Sequence, residues 1–184
     1  MDKRVELHPI FDRCALYYDH FLHECGSLGD ELGRDCVVHA QIDGWMRPYA
    51  GDGRRNEDWY GWHVRVLAPF SGVVTRIIHN PVTHQPGHSG HGPASCLFFT
   101  RADGLNVVYA HVDSPFVQEG CPVEAGQPVA LVGNNGESQM PHIHIGAWMD
   151  NHPQAVCFDP AAMEALVNRV GAAWWLRGEG DPKW

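Results

Sequence analysis

Apolar and polar positions alternate in short runs through the middle of the chain, and the spacing turns helical only near its two ends. CLFFTR (96–101) and NVVYAHV (106–112) flank Ala102-Asp103-Gly104-Leu105, a pattern that predicts a hairpin. HVRVLAPF (63–70) and GVVTRII (72–78) are rich in β-branched residues and split at Ser71-Gly72, which predicts two short strands around a turn. CVVHAQIDG (36–44) reads as a short strand running into a loop. FVQEG, CPVEAGQ and PVALVGNNG (116–136) continue the series of short strands and Gly turns, and IHIGAW (143–148) closes it. The polar, Gly-rich segments 44–62 and 79–94 predict long surface loops.

Helical spacing brackets this β-rich region. Over 9–25, Phe11, Cys14, Tyr18, Phe21, Leu22 and Cys25 fall on one stripe, with Gly26 and Gly29 as stop signals. Over 159–170, Asp159 is placed to cap a helix, Pro160 to begin it, and Met163, Leu166, Val167 and Val170 to form its apolar face. The expected organisation is one compact domain: an N-terminal helical brace (1–35), a β core (36–160), and a C-terminal helix and tail (161–184).

Composition narrows the function classes. At 184 residues, with 44% hydrophobic and 19% charged positions, the chain reads as an ordinary globular protein. A formal charge of −9 with no Lys/Arg run argues against a nucleic-acid or anionic-membrane partner. No apolar stretch is long enough for a membrane span, and MDKRVELHPI lacks the apolar region of a secretory signal. The compartment stays open between cytoplasm and, after loss of a leader, the cell envelope. The six cysteines read as free thiols. On a shared helix, Cys14 and Cys25 would lie about 16 Å apart, at a rise of about 1.5 Å per residue, too far to bond.

Three places pair histidine with other chemistry-bearing residues: His39 with Asp43, His111 after Tyr109-Ala110, and His142 with His144. Residues i, i+2 and i+4 of an extended segment share a face, so each pair projects to one side. One carboxylate and two imidazoles suit catalytic zinc, which leaves a fourth position to water. Thirteen histidines make any single pair a weak signal, and salt bridges or structural imidazoles compete with this reading. The four histidines at 79, 84, 88 and 91 read as part of a solvated loop.

The order of these motifs resembles the lysostaphin-like (LytM-type) zinc metallopeptidases over about residues 36–160. The resemblance rests on His39-x-x-x-Asp43, APFSGVV (68–74), VYAH (108–111), VEAGQPVALVGNNG (123–136) and PHIHI (141–145). It implies a mainly β fold, with an antiparallel β-sheet core and a groove (duplicated-hybrid-motif-like), between the two helices. It implies Zn2+ held by His39, Asp43 and His144, with His111 and His142 as unligated catalytic imidazoles. It implies hydrolysis of a peptide or peptidoglycan substrate. The chain departs from the family at Ala40, at Gln139-Met140 before Pro141, and in the length of 44–67 and of the His-rich loop. Two rivals remain: a non-catalytic wall-binding or activator module on the same fold, and a metal-free phosphocarrier with two facing histidines.

Overall fold

The computed structural model describes residues 4–13, 15–19 and 31–170. Its strands begin with β1 (Arg4–Leu7), β2 (Ala15–Asp19), β3 (Arg34–Val38), β4 (Ala40–Ile42) and β5 (Trp45–Arg47). They continue with β6 (Arg65–Leu67), β7 (Gly72–Ile78), β8 (Cys96–Thr100), β9 (Asn106–Ala110) and β10 (Val112–Asp113). The last are β11 (Pro122–Val123), β12 (Pro128–Val132), β13 (Ile143–Met149), β14 (His152–Pro153) and β15 (Ala155–Phe158), followed by helix α1 (Pro160–Val170).

The main sheet runs β11-β7-β8-β9-β13-β3-β2, with β14 paired to β13, and every pairing in it is antiparallel. A smaller antiparallel sheet, β10-β12-β6, packs beside it, while β1 pairs in parallel with β15. Alternation explains which face is buried. Ile143, Ile145, Tyr109, Val107, Leu97, Phe99 and Cys36 point into the core and are fully buried. The intervening residues of the same strands, His144, Ala110, Phe98 and Asp35 among them, share the opposite, open face. The fold is mainly β with an antiparallel core, as expected.

The hairpin β8–β9, the strand β13 and the helix α1 lie where the sequence placed them. Asp159 caps α1 through its Oδ1, which accepts the amides of Ala161 (2.8 Å) and Ala162 (3.3 Å). No helix among the described residues is long and apolar enough to cross a membrane.

The N-terminal segment differs from expectation. Residues 15–19 form β2, paired along all five residues with β3, and not part of a helix. The reason is the adjacent pair Tyr17-Tyr18: Tyr17 stacks on Phe158 at 4.6 Å while Tyr18 faces the open side. A strand places neighbouring aromatics on opposite faces, which a helical stripe cannot do. With β1 tied to β15, the described residues 4–7 and 15–19 supply strands to the fold where a helical brace was expected. Cys14, Phe21, Leu22 and Cys25 of the expected stripe, and the tail from 171, lie outside the described residues. The 44–62 loop carries β5 and a single 3-10 turn at Asn56–Asp58, and no strand forms over Phe116–Gly120.

Candidate active site

His144 stands on the open face of β13, and His142 immediately precedes that strand on the same side. His144 lies opposite Ala110 of β9 on one side and Asp35 of β3 on the other. That register brings a carboxylate beside the histidines. His144 Nδ1 stands 3.2 Å from Asp35 Oδ1, and His142 Nε2 stands 3.4 Å from the same oxygen.

His111 reaches the same place by breaking the strand rule. It follows Ala110, so alternation would turn it toward the core beside Tyr109. Its φ of 64° swings the side chain instead onto His142, ring centroids 4.6 Å apart. Three contacts hold this left-handed residue. Gly133 N donates to His111 O at 2.9 Å, His111 Nδ1 donates to Asn135 O at 2.7 Å, and Asn135 Nδ2 donates to Val112 O at 2.9 Å. A side chain at Gly133 would meet the His111 carbonyl at 2.7 Å, so the close approach needs glycine.

The backbone fixes the tautomers. His39, His111 and His142 each donate Nδ1–H to a main-chain carbonyl: Val37 at 2.9 Å, Asn135 at 2.7 Å and Met140 at 2.8 Å. In the neutral ring the lone pair is then on Nε2, the arrangement wanted of a metal ligand or a general base. His39 Nε2 faces the Tyr18 hydroxyl at 3.5 Å. Burial lowers the pKa of His39, opposed by its bond to the Val37 carbonyl. Burial also holds His111 down to about 3, with the His142 ring adding to the effect.

Of the expected site residues, His142, His144 and His111 come together. His39 lies just past the end of β3, on the same strand face as Asp35. Asp43 does not join them: it is exposed at φ 50° in the turn between β4 and β5. Asp35 is the carboxylate that stands beside His142 and His144. Its signal in the sequence is Asp35-Cys-Val-Val-His39, the same spacing of four as His39–Asp43 in the opposite order.

The donors suit zinc in kind. Two ligands bonded to one tetrahedral zinc at about 2.0–2.1 Å lie about 3.3–3.4 Å apart, and the Asp35–His144 separation of 3.2 Å matches such an edge. Among the described residues, no three His, Cys, Asp or Glu side chains form a complete metal-holding group.

The sequence model of Peptidase family M23 matches residues 60–156, more than half of the chain. The chain belongs to peptidase family M23. The lysostaphin-like resemblance pointed to this family, and the match includes His111, His142 and His144 while leaving Asp35, His39 and Asp43 outside it. The DD-carboxypeptidase/endopeptidase Mpg of Neisseria meningitidis serogroup B is 30% identical over 86 residues, which are 47% of this chain and 19% of the relative. The protein of the same description from Neisseria gonorrhoeae matches to the same extent. The chain thus spans about a fifth of the length of these curated relatives.

Solved structures support the M23 fold. The SpoIIIAH–SpoIIQ complex contains a chain matching at TM-score 0.51 and 18% identity, over 81% of this chain and 96% of that one. A putative peptidase M23 from Pseudomonas aeruginosa matches at TM-score 0.50 and 18% identity, over 88% of this chain and 51% of that one.

Proposed function

We propose that this M23 chain is a zinc-dependent endopeptidase that hydrolyses peptide bonds in peptidoglycan cross-links. The observation that carries the reading is the convergence of His144 Nδ1 and His142 Nε2 on one oxygen of Asp35, with His111 packed on His142. Asp35 and His144 hold the metal, with His39 from the end of β3 as the third ligand. This replaces Asp43 by Asp35 in the expected set of His39, Asp43 and His144.

Bound there, zinc supplies an acidified water and polarises the scissile carbonyl. The chain's own residues do the rest. His142 takes the proton of the attacking water on Nε2, and Asp35 lies where it offsets the charge that ring gains. His111, kept neutral by burial and clamped by Asn135, fixes the other side of the His142 ring and bounds the place where the carbonyl oxygen develops charge. The peptide substrate class draws on the family and on the Neisseria relatives' description as carboxypeptidase/endopeptidase. A glycosidase would need two carboxylates flanking the bond, whereas Asp35 is the carboxylate that meets these histidines.

Zinc content and cleavage, measured on the same preparations, test the reading. Asp35→Asn should lose stoichiometric zinc and the release of new amino termini from peptidoglycan, while Asp43→Asn should keep both. The reverse pattern returns the carboxylate to Asp43. Wild-type protein that binds zinc yet releases new reducing ends in place of amino termini would contradict the peptide assignment.

Two observations favour a second reading. Asp43 is turned to solvent, and a structural neighbour is described in a two-protein complex. A non-catalytic wall-binding or activator module would bind peptidoglycan or a partner protein without releasing amino termini and without needing zinc.

A further inference from the structure

The open face of the main sheet extends well past the histidines, and its side chains fall into two cross-strand rows. In the first, His144 pairs with Ala110, and Ala110 with Cys96. Between His144 and Ile78 of β7, which pairs with Cys96, this row carries only the small side chains of Ala110 and Cys96, both half-buried, so it forms a trough that leads away from the candidate active site and ends at Ile78. In the second row, Val108 pairs with Phe98, and Phe98 with Arg76. These larger residues form one wall of the trough.

Arg76 reaches that wall through a defect in the sheet. From Val74, which is fully buried, strict alternation would point Thr75 to the open face and Arg76 to the core. The register between β7 and β8 shifts between Val74 and Arg76, and this bulge places Arg76 opposite Phe98. Its guanidinium carbon stands 5.8 Å from the centre of the Phe98 ring. The side chain is exposed, and no carboxylate pairs with it among the described residues. The nearby Glu119 carboxylate accepts the Ile77 amide on Oε1 at 2.7 Å. On a chain of formal charge −9, a cation held over Phe98 at the wall of the trough, with no ion pair among the described residues, is a selective feature.

We propose that Arg76, stacked on Phe98, anchors a carboxylate of a peptide lying in this trough. The proposal rests on the peptidase reading and deepens it, because it assigns the substrate an acidic group at a set distance from the cleaved bond. From His144 the Phe98 ring is two strand spacings across, roughly 10 Å, and one row along, roughly 7 Å, or about 12 Å in all. An extended peptide rises about 3.3 Å per residue, so the carboxylate sits about three to four residues from the bond over the histidines. A terminal carboxylate and an acidic side chain present the same chemistry.

The test uses the full chain and alanine peptides of four to eight residues, each as the free acid and as the C-terminal amide. A second set places one Glu or one Gln along an octa-alanine amide. Dissociation constants and amine release are measured for wild type, Arg76→Gln and Arg76→Lys. Wild type should prefer the acid to the amide by about two- to fivefold, the range of an exposed ion pair. Arg76→Gln should lose that preference while binding the amide unchanged, and Arg76→Lys should keep part of it. The preference should peak at one peptide length, or at one Glu position, which identifies the source of the carboxylate. No acid preference in wild type, or a preference that survives in Arg76→Gln, overturns the proposal. Acid preference without amine release counts against the peptidase reading alone.

Discussion

A left-handed φ costs a non-glycine residue on the order of 1–3 kcal/mol and persists only where the surroundings hold it. His111, at φ 64°, is held by Gly133 and Asn135 through three backbone-directed bonds. Removing the Asn135 side chain leaves the Val112 carbonyl and the Ser95 amide without their partner, since Asn135 Oδ1 accepts Ser95 N at 2.7 Å. Asn135→Ala should therefore lower stability by about 1–3 kcal/mol, and it should cut turnover about tenfold or more while zinc content stays at wild-type level. Unchanged turnover in folded Asn135→Ala would show that the clamp does not serve His111. The histidines divide in the same way. His144→Ala should lose zinc and activity together, whereas His142→Ala and His111→Ala should keep zinc and lose activity, because their work is in the transition state. If His142→Ala loses the metal and His144→Ala keeps it, the two roles are exchanged. The sequence displayed the imidazoles well, because PHIHI and VYAH are local patterns. The proposed carboxylate was less legible, because His39 has an aspartate four residues away on either side, and it is the pairing of β3 with β13 that brings Asp35 beside His144.

Elements with local signals were legible: Asp103-Gly104 announces the β8–β9 hairpin, and Asp159-Pro160 announces α1. β2 was not, because its strand character comes from pairing with β3 and from Tyr17 packing on Phe158, both long-range. The same long-range packing leaves one polar atom stranded at the centre of β9. Tyr109 is fully buried, with its ring edge-on to Phe99 at 5.2 Å, and its hydroxyl has no hydrogen-bond partner among the described residues. A buried hydroxyl without a partner costs about 1–3 kcal/mol relative to a satisfied or absent one. Tyr109→Phe should thus hold or raise stability, by up to about 1–3 kcal/mol in denaturant titration, and leave the fold intact. A clear loss of stability would mean that the hydroxyl finds a partner, such as an ordered water, in solution.

For the molecule as a whole, the proposed metal joins two parts of the main sheet that meet over a short seam. β13 is paired along five residues with β9, while β3 meets β13 over only Ile143–Ile145, and β2 is attached to the sheet through β3. A zinc bonded to Asp35 on β3 and His144 on β13, as proposed, would cross-link that short seam. An ion that binds only the folded state stabilises it by RT ln(1 + [L]/Kd), about 2.7 kcal/mol at a hundredfold excess over Kd. Chelation should then lower the Tm by several degrees, and the loss should be uneven. Amide exchange should rise first in 15–19 and 34–38, the strands on the far side of the seam, while β7, β8 and β9 stay protected. Asp35→Asn should show the same exchange pattern without chelator and should gain no further change from it, because the cross-link is already absent. Asp43→Asn should behave as wild type. Chelation that leaves the Tm and the exchange of 34–38 unchanged would remove the metal from this seam, and with it the assignment of Asp35 and His144 as a shared pair of ligands.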